Sequence, residues 1–437
     1  MNLTEMNKGI DIGEKGKEIF DLVKTMFPIN RSITGNGVRE TLSIISEFFP
    51  IDIHEIPSKT KVLDWEIPYE WNIKDAWIKN PEGEKIVDFN VSNLHVLNYS
   101  IPIDKKLSLK ELKEHIFTLP DTPDWIPYRT SYHNKEWGFC MAYNQLKDLE
   151  EGFYEINIDS TLDHGSLTYG EFFIKGQIED EVLISTHICH PSLANDNLSG
   201  IAVSTYIAEI LKNTNNYYSY RFLFIPGTIG SITWLSLNED SIDKIKHGLV
   251  LTLLGDNGKF NYKKTRRGNA EIDKIVDYCL SSLNEDYGVL DFSPYGYDER
   301  QFCSPGYNLP VGRLSRSIHG EFPEYHTSAD NLDFVKQDKL EESFKLILSI
   351  IGIIESNRTF VNLKPKGEPQ LGKRGLFKKI GGESETKDFQ MALLWVLNQS
   401  DGENSLLDIS IKSKINFNII KKAAESLMEV DILKEIK

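Results

Sequence analysis

The chain has 437 residues, 40% hydrophobic and 26% charged, which is enough for two to four folded domains with sizeable cores. Its formal net charge of -16 disfavours non-specific contact with phosphate backbones, so nucleic acid is set aside as a first expectation. Four widely spaced cysteines (Cys140, Cys189, Cys279, Cys303) exclude a disulfide framework or a Cys-x-x-Cys zinc site. The start lacks the basic and apolar pattern of a signal peptide, and no apolar run reaches the roughly 18 residues of a membrane span, so a cytoplasmic protein without membrane contact is expected.

Residues 15 to 50 read as two helices around the turn "PINRSITGNG". From 59 to 178 the texture is aromatic, alternating and broken by Gly, Asn and Asp, which predicts strands and hairpins; only "LSLKELKEHIFTLP" reads as helix. Its tryptophans (Trp65, Trp71, Trp77, Trp125, Trp137) fit either a core or a sugar-binding face. From Glu181 short apolar strands alternate with amphipathic helices, ending in a long helix over about 337–356. That order predicts an α/β sheet covered on both faces, formed by 1–58 and 179–365, with 59–178 as an inserted β-rich domain. A Pro/Gly/Lys linker over 366–384 leads to a tail, 385–437, that reads as three helices closing on "DILKEI", the order of a winged helix. Between Asp388 and Lys437 stand eight acids and six lysines with no arginine, which disfavours DNA and favours a protein partner or self-association.

The stretch "STHICHPSLANDNLSG" carries the clearest chemistry. His187 falls at the carboxyl end of the buried strand "EVLIST", the edge of an open α/β sheet where ligands bind. Asp196 returns just before the next helix, and imidazole with carboxylate is the donor set of a zinc site that keeps an open position. The same residues also fit a strand-end histidine and a helix-capping aspartate. A second polar turn, "GEFPEYHTSADNL", follows the strand "LPVGRLS" and presents His326.

"DNLSG" at Asp196 to Gly200 and "YHTSAD" at Tyr325 to Asp330 resemble two signature segments of the zinc aminopeptidase-like family. "IPYRTSYHNKEWGFC", "LTYGEF", "RFLFIPGTIGS" and "PKGEPQLGKRG" extend the resemblance to bacterial polysaccharide-biosynthesis proteins with an aminopeptidase-like domain. The resemblance implies a zinc-peptidase-like mixed sheet flanked by helices. It also implies that His187, Asp196 and His326 are metal ligands, with Asp196 bridging two ions in two-metal members. One zinc per chain is expected, and two are compatible with the family.

Three departures follow from the same resemblance. The family's aspartate two residues after the first histidine is Cys189 here, leaving His190 as the nearest polar substitute, either ligand or orienting partner. The family's general-base glutamate is Gly227, and the neighbouring ligand position is Thr228. The remaining ligand aspartate has only Asp256 as an out-of-register match, and Asp298, Glu299 and Glu324 are candidate replacement acids. The leading expectation is a zinc-dependent hydrolase of a peptide or amide bond. The alternative is a catalytically impaired binding or scaffold protein, for which Gly227 speaks. A transcriptional regulator acting through the tail is the third reading.

Overall fold

The computed structural model describes residues 15–132, 134–283, 285–376 and 384–436; residues 1–14 of the first segment, 377–383 of the linker and Lys437 lie outside the described residues. It divides into two units, Met1–Leu346 and Ile347–Lys437. No helix among the described residues is long and apolar enough to cross a membrane.

In the first unit, α1 (Lys15–Met26) buries Ile19, Leu22, Val23 and Met26, the three- and four-residue spacing of one helix face. After the predicted turn, α2 (Asn36–Ser46) buries Val38, Thr41, Leu42 and Ile45 in the same way. The chain then enters β1 (Asp52–Pro57) and leaves for the inserted module. The module's sheet consists of β2 (Glu70–Lys79), β3 (Lys85–Asp88), β4 (Ile103–Ser108) and β5 (Phe153–Asp163), in the order β3-β2-β5-β4. The helical segment expected there is a short α3 (Leu109–Lys113), started by a Ser108–Glu111 capping box. Along β5 every second residue from Tyr154 to Ser160 is buried, the period-two pattern that its sequence alternation predicts. Of the tryptophans, Trp71 is core, 2% exposed and donating to the Ser100 carbonyl at 2.9 Å.

The module ends earlier than its aromatic texture suggests. β6 (Ser166–Ile174) pairs antiparallel with β1, from Asp52↔Glu171 to Pro57↔Ser166, and so belongs to the main sheet. The main sheet continues through β7 (Glu181–His187), α4 (Gly200–Leu211), β8 (Ser219–Ile225), α5 (Ile229–Leu237), β9 (Ile245–Leu251) and β10 (Phe260–Lys263). It is completed by α6 (Glu271–Ser281), β11 (Tyr287–Leu290), α7 (Glu299–Phe302), β12 (Val311–Ser315) and the long α8 (Gln337–Ser356). Its eight strands run in the order β1-β6-β8-β7-β9-β12-β10-β11, with β8, β7, β9 and β12 parallel. Every residue of β7 is buried, as expected for a parallel strand covered on both faces. From β7 the chain moves to β8 on one side and later to β9 on the other, which opens a crevice at the end of β7.

The second unit is the winged helix. β13 (Thr359–Asn362) pairs antiparallel with both β14 (Asp401–Ser405) and β15 (Leu433–Ile436), around α9 (Ser384–Gln399), α10 (Leu406–Ser413) and α11 (Phe417–Met428). The 365/366 boundary therefore moves towards the start of the chain. β13 is the central strand of this small sheet, and the unit division falls within α8.

Candidate metal centre

His187 occupies the last position of β7, held in line because the Ile188 N–H donates to the Ile225 carbonyl at 2.9 Å. The loop beyond it is braced from three sides. Arg31, delivered by the turn between α1 and α2, donates to the carbonyls of His190 (2.9 Å) and Pro191 (3.0 Å). Asp330 accepts the backbone N–H groups of Asn195 (2.6 Å) and Asp196 (2.9 Å), which turns the Asp196 side chain back towards the sheet. Gly200 then begins α4 against β9; a Cβ there would lie 2.6 Å from the Leu251 carbonyl oxygen, so only glycine fits this approach.

Three imidazoles converge on one carboxylate. His187 Nε2 lies 2.9 Å from Asp196 Oδ1, and His326 Nε2 lies 3.0 Å from Asp196 Oδ2. His190 Nε2 is 3.2 Å from His326 Nε2 and 3.8 Å from Asp196 Oδ2. Asp196 is fully buried, whereas His326 is 31% exposed and forms the open side. Burial pushes the Asp196 carboxyl up, but His190, His187 and His326 together outweigh it and hold the group well below the usual carboxylate range. Burial likewise keeps the His190 imidazole neutral, the form that ligates metals. Tyr297 Oη sits 3.1 Å from Asp196 Oδ1 and its ring stacks on His187. Tyr128 packs against both His190 and His326.

This arrangement passes a simple test of fit. Zinc bonds of about 2.0–2.1 Å to nitrogen place neighbouring donors roughly 3 Å apart, a spacing met on each Asp196 oxygen separately, by His187 at Oδ1 (2.9 Å) and His326 at Oδ2 (3.0 Å). His187, His190 and Asp196 form the one group of three or more candidate ligand atoms lying within 4.8 Å of one another among the described residues; His326, against the other Asp196 oxygen, falls outside that group.

The other residues singled out in the sequence lie elsewhere or act differently. Asp256 accepts from Asn195 Nδ2 (2.7 Å), Gly258 N (2.5 Å) and Ser317 Oγ (2.7 Å), so it braces the loop from behind and does not join the cluster. Glu299 is buried in an ion pair with Lys263 at 2.8 Å. Glu324 is half-buried, its carbonyl serving the turn through the Thr327 N–H, and its carboxylate is not in the cluster. Asp298 caps α5, accepting the Thr228 N–H and the Ser231 hydroxyl, both at 2.8 Å. His190 points its Nε2 into the cluster, and the polar neighbour of His187 Nδ1 is instead Asn197, at 3.4 Å. Cys189 accepts the Gly227 N–H at 3.1 Å, and burial pushes its thiol up to about 12, which leaves it protonated. At Gly227 an added Cβ would lie 3.3 Å from Cys189 Sγ and 3.6 Å from His187 Cβ, so this position faces the cluster with no side chain.

Tyr128, Tyr297 and Asp330 were not among the residues singled out, and they complete the site. The inserted module contributes directly: the Tyr128 N–H donates to the His326 carbonyl at 2.8 Å, and Ser328 N–H donates to the Ile126 carbonyl at 2.8 Å. His326 adopts a left-handed backbone (φ 55°) within this clamp.

Residues 20–357 match a family described as a domain of unknown function (DUF4910), and residues 358–435 match a winged helix-turn-helix family. A Clostridium acetobutylicum protein, provisionally described as a polysaccharide biosynthesis protein with an aminopeptidase-like domain, is 54% identical over 433 residues, covering 99% of this chain and 100% of its own. A crystal structure of a provisionally described peptidase from the same organism superposes with a TM-score of 0.94 at 52% identity, over 100% of both chains. The zinc aminopeptidase BSAP of Bacillus subtilis superposes at 0.56 with 14% identity, covering 78% of this chain and 94% of its own. A peptidase M28 precursor from Shewanella amazonensis gives 0.53 with 12% identity, covering 80% and 97%. These last two share the fold of the first unit's sheet and helices.

Proposed function

The chain belongs to the DUF4910 family and carries an aminopeptidase-like domain, and on that footing we propose that it is a zinc-dependent hydrolase of an amide or peptide bond. His187, Asp196 and His326 would hold the ion, with His190 as a further donor. The observation that carries this reading is the convergence of three imidazole Nε2 atoms on the Asp196 carboxylate. When bound, the ion supplies Lewis acidity at the carbonyl of the scissile bond. Tyr297, whose phenol burial keeps well above its ordinary range, remains a neutral donor beside Asp196 for negative charge developing on substrate. The proton acceptor is Asp298: its Oδ2 is buried without a hydrogen-bond partner among the described residues, and its Oδ1 anchors the loop next to Gly227. The substrate is a small peptide or an acylated amino group of a saccharide precursor, the latter in keeping with the description of the full-length relative.

Elemental analysis of zinc per chain, for the wild type and His326→Ala, tests the site; hydrolysis assays on peptides and acylated amino sugars test the reaction. About one equivalent of zinc, lost in the variant, is expected. A zinc-filled protein inert on both substrate classes overturns the hydrolase reading and leaves a binding or scaffold protein, the second reading, which Gly227 favours. The winged helix is assigned to a protein partner or self-association. It exposes Met391, Ile411 and Met428 at 44%, 46% and 39%, and Ile411→Glu is expected to lower the oligomeric state seen in sedimentation. We place the protein in the cytoplasm, where its four free, buried cysteines stay reduced.

A further inference from the structure

A cavity of about 330 Å³ opens beside Gly227. Its walls include Ile33, Trp65, Tyr99 and Tyr132, together with Thr228 and Arg300. No acidic residue lines it.

Arg300 stands in the run Asp298-Glu299-Arg300, whose two acids do not line the cavity: Asp298 Oδ1 holds the start of α5 and Glu299 pairs with Lys263. The guanidinium has one hydrogen bond among the described residues, a long one of 3.4 Å from Nη2 to Thr228 Oγ1. Its Nε is buried with no partner. Arg300 is half-buried with its Nε unpartnered and no acid paired to it among the described residues, and a bidentate carboxylate would supply both the missing hydrogen bonds and the balancing charge. Arginine suits this role because its planar fork matches a carboxylate and its charge does not titrate away. The flanking aromatic rings would cover the carbon skeleton that bears the acid.

We propose that this cavity is a binding subsite for a carboxylate-bearing residue of the substrate, an acidic amino acid or an acidic sugar, with Arg300 as its specificity residue. Gly227 lies in the wall of this cavity and also neighbours the first candidate ligand, since a Cβ there would lie 3.6 Å from His187 Cβ. The inference rests on the hydrolase reading for what happens to the bound residue, and on the cavity alone for binding.

The test is calorimetric titration of the full chain with L-glutamate and D-glucuronate, using L-leucine and D-glucose as neutral controls, repeated on Arg300→Met, Arg300→Lys and His326→Ala. At least one anion is expected to bind about tenfold or more tightly than its neutral control, and which of the two does so identifies the source. Arg300→Met is expected to lower that preference roughly 10- to 100-fold, with Arg300→Lys retaining part of it. An unchanged melting temperature of each variant excludes misfolding as the cause. Binding of neither anion, equal binding of the neutral controls, or a preference indifferent to Arg300 overturns the proposal. Arg300-dependent anion binding in a protein that hydrolyses nothing removes the hydrolase reading alone. Zinc-dependent hydrolysis without any acidic preference removes the subsite alone.

Discussion

His190 Nε2 faces His326 Nε2 at 3.2 Å, with the Asp196 carboxylate closing the triangle from below. Two ring nitrogens at this distance need either a proton between them or a cation in front of them. Burial disfavours a charged His190, so a cation offers the more complete neutralisation of Asp196. Removing either histidine should therefore act first on metal affinity. His190→Ala is expected to weaken zinc binding about 10- to 100-fold by the scale of single supporting groups, read by competition with a chromophoric chelator.

Stripping the metal should loosen the first unit specifically. With zinc bound only to the folded state, a free concentration 100 times Kd stabilises by about 2.7 kcal/mol. Chelation is expected to lower the melting temperature of the metal-bearing unit and leave the winged-helix transition in place, resolved by calorimetry.

Gly227→Glu places a carboxylate where the protein now has none. The backbone permits it: the new Cβ meets Cys189 Sγ at 3.3 Å, a contact relieved by a small rotation of that thiol. With Asp298 as the proton acceptor, kcat should change little; in a site complete apart from its base, the second reading, it should rise about 10²-fold or more, the ordinary worth of a general base. A steady-state assay of the wild type beside the variant decides the point. An unchanged rate, together with loss of turnover in Asp298→Asn, is the outcome expected of Asp298 as the acceptor.

Glu299 is expected to matter for stability and little for chemistry. It is fully buried against Lys263 at 2.8 Å, with Arg313 at 3.9 Å. Glu299→Gln strands two buried cations and should destabilise by about 3–5 kcal/mol, measured by urea unfolding, while zinc content stays at the wild-type level.

Acid should weaken the junction between the inserted module and the main sheet. Arg39 grips Glu70 through two hydrogen bonds of 2.7 and 2.8 Å, and Glu70 also accepts the Ser166 N–H at the start of β6. The Arg39 guanidinium holds the Glu70 carboxyl at about 2, against an ordinary value of 4.5. A depressed carboxyl contributes stability that is fully present above pH 4.5 and is lost as pH falls towards 2. Because Arg39 is 31% exposed, solvent screening limits the contribution to about 1 kcal/mol. The melting temperature of Arg39→Gln should fall less steeply than that of the wild type between pH 5 and 2.

The strand end at His187, the returning Asp196 and the turn at His326 were legible because short apolar strands ending in polar residues leave a local signature. Tyr297 and Arg300 were not, because one precedes and the other lies within a four-residue helix some hundred positions from Asp196, and no periodicity links that helix to Asp196. β13 was missed for a similar reason: "TFVN" directly follows a long helix, and its strand character comes from partners at 401–405 and 433–436. β6 was assigned to the wrong sheet because its alternation matches that of β5. Pairing across 100 residues with β1, not local pattern, decides where it belongs.

The junction at β1 and β6 has one more consequence. The chain departs for the module at Pro57 and comes back at Ser166, facing residues of one ladder, so in topology the module is a detour that could be cut out with the sheet still closed. In packing it is nothing of the kind. Ile229 and Ile232, on the first turns after Gly227, share one apolar cluster with the module's Val62, Ile67 and Trp71. The loop beside the candidate metal centre is therefore packed against a part of the protein that contributes none of the candidate ligands, and that dependence ties the detour to the sheet more firmly than the chain does.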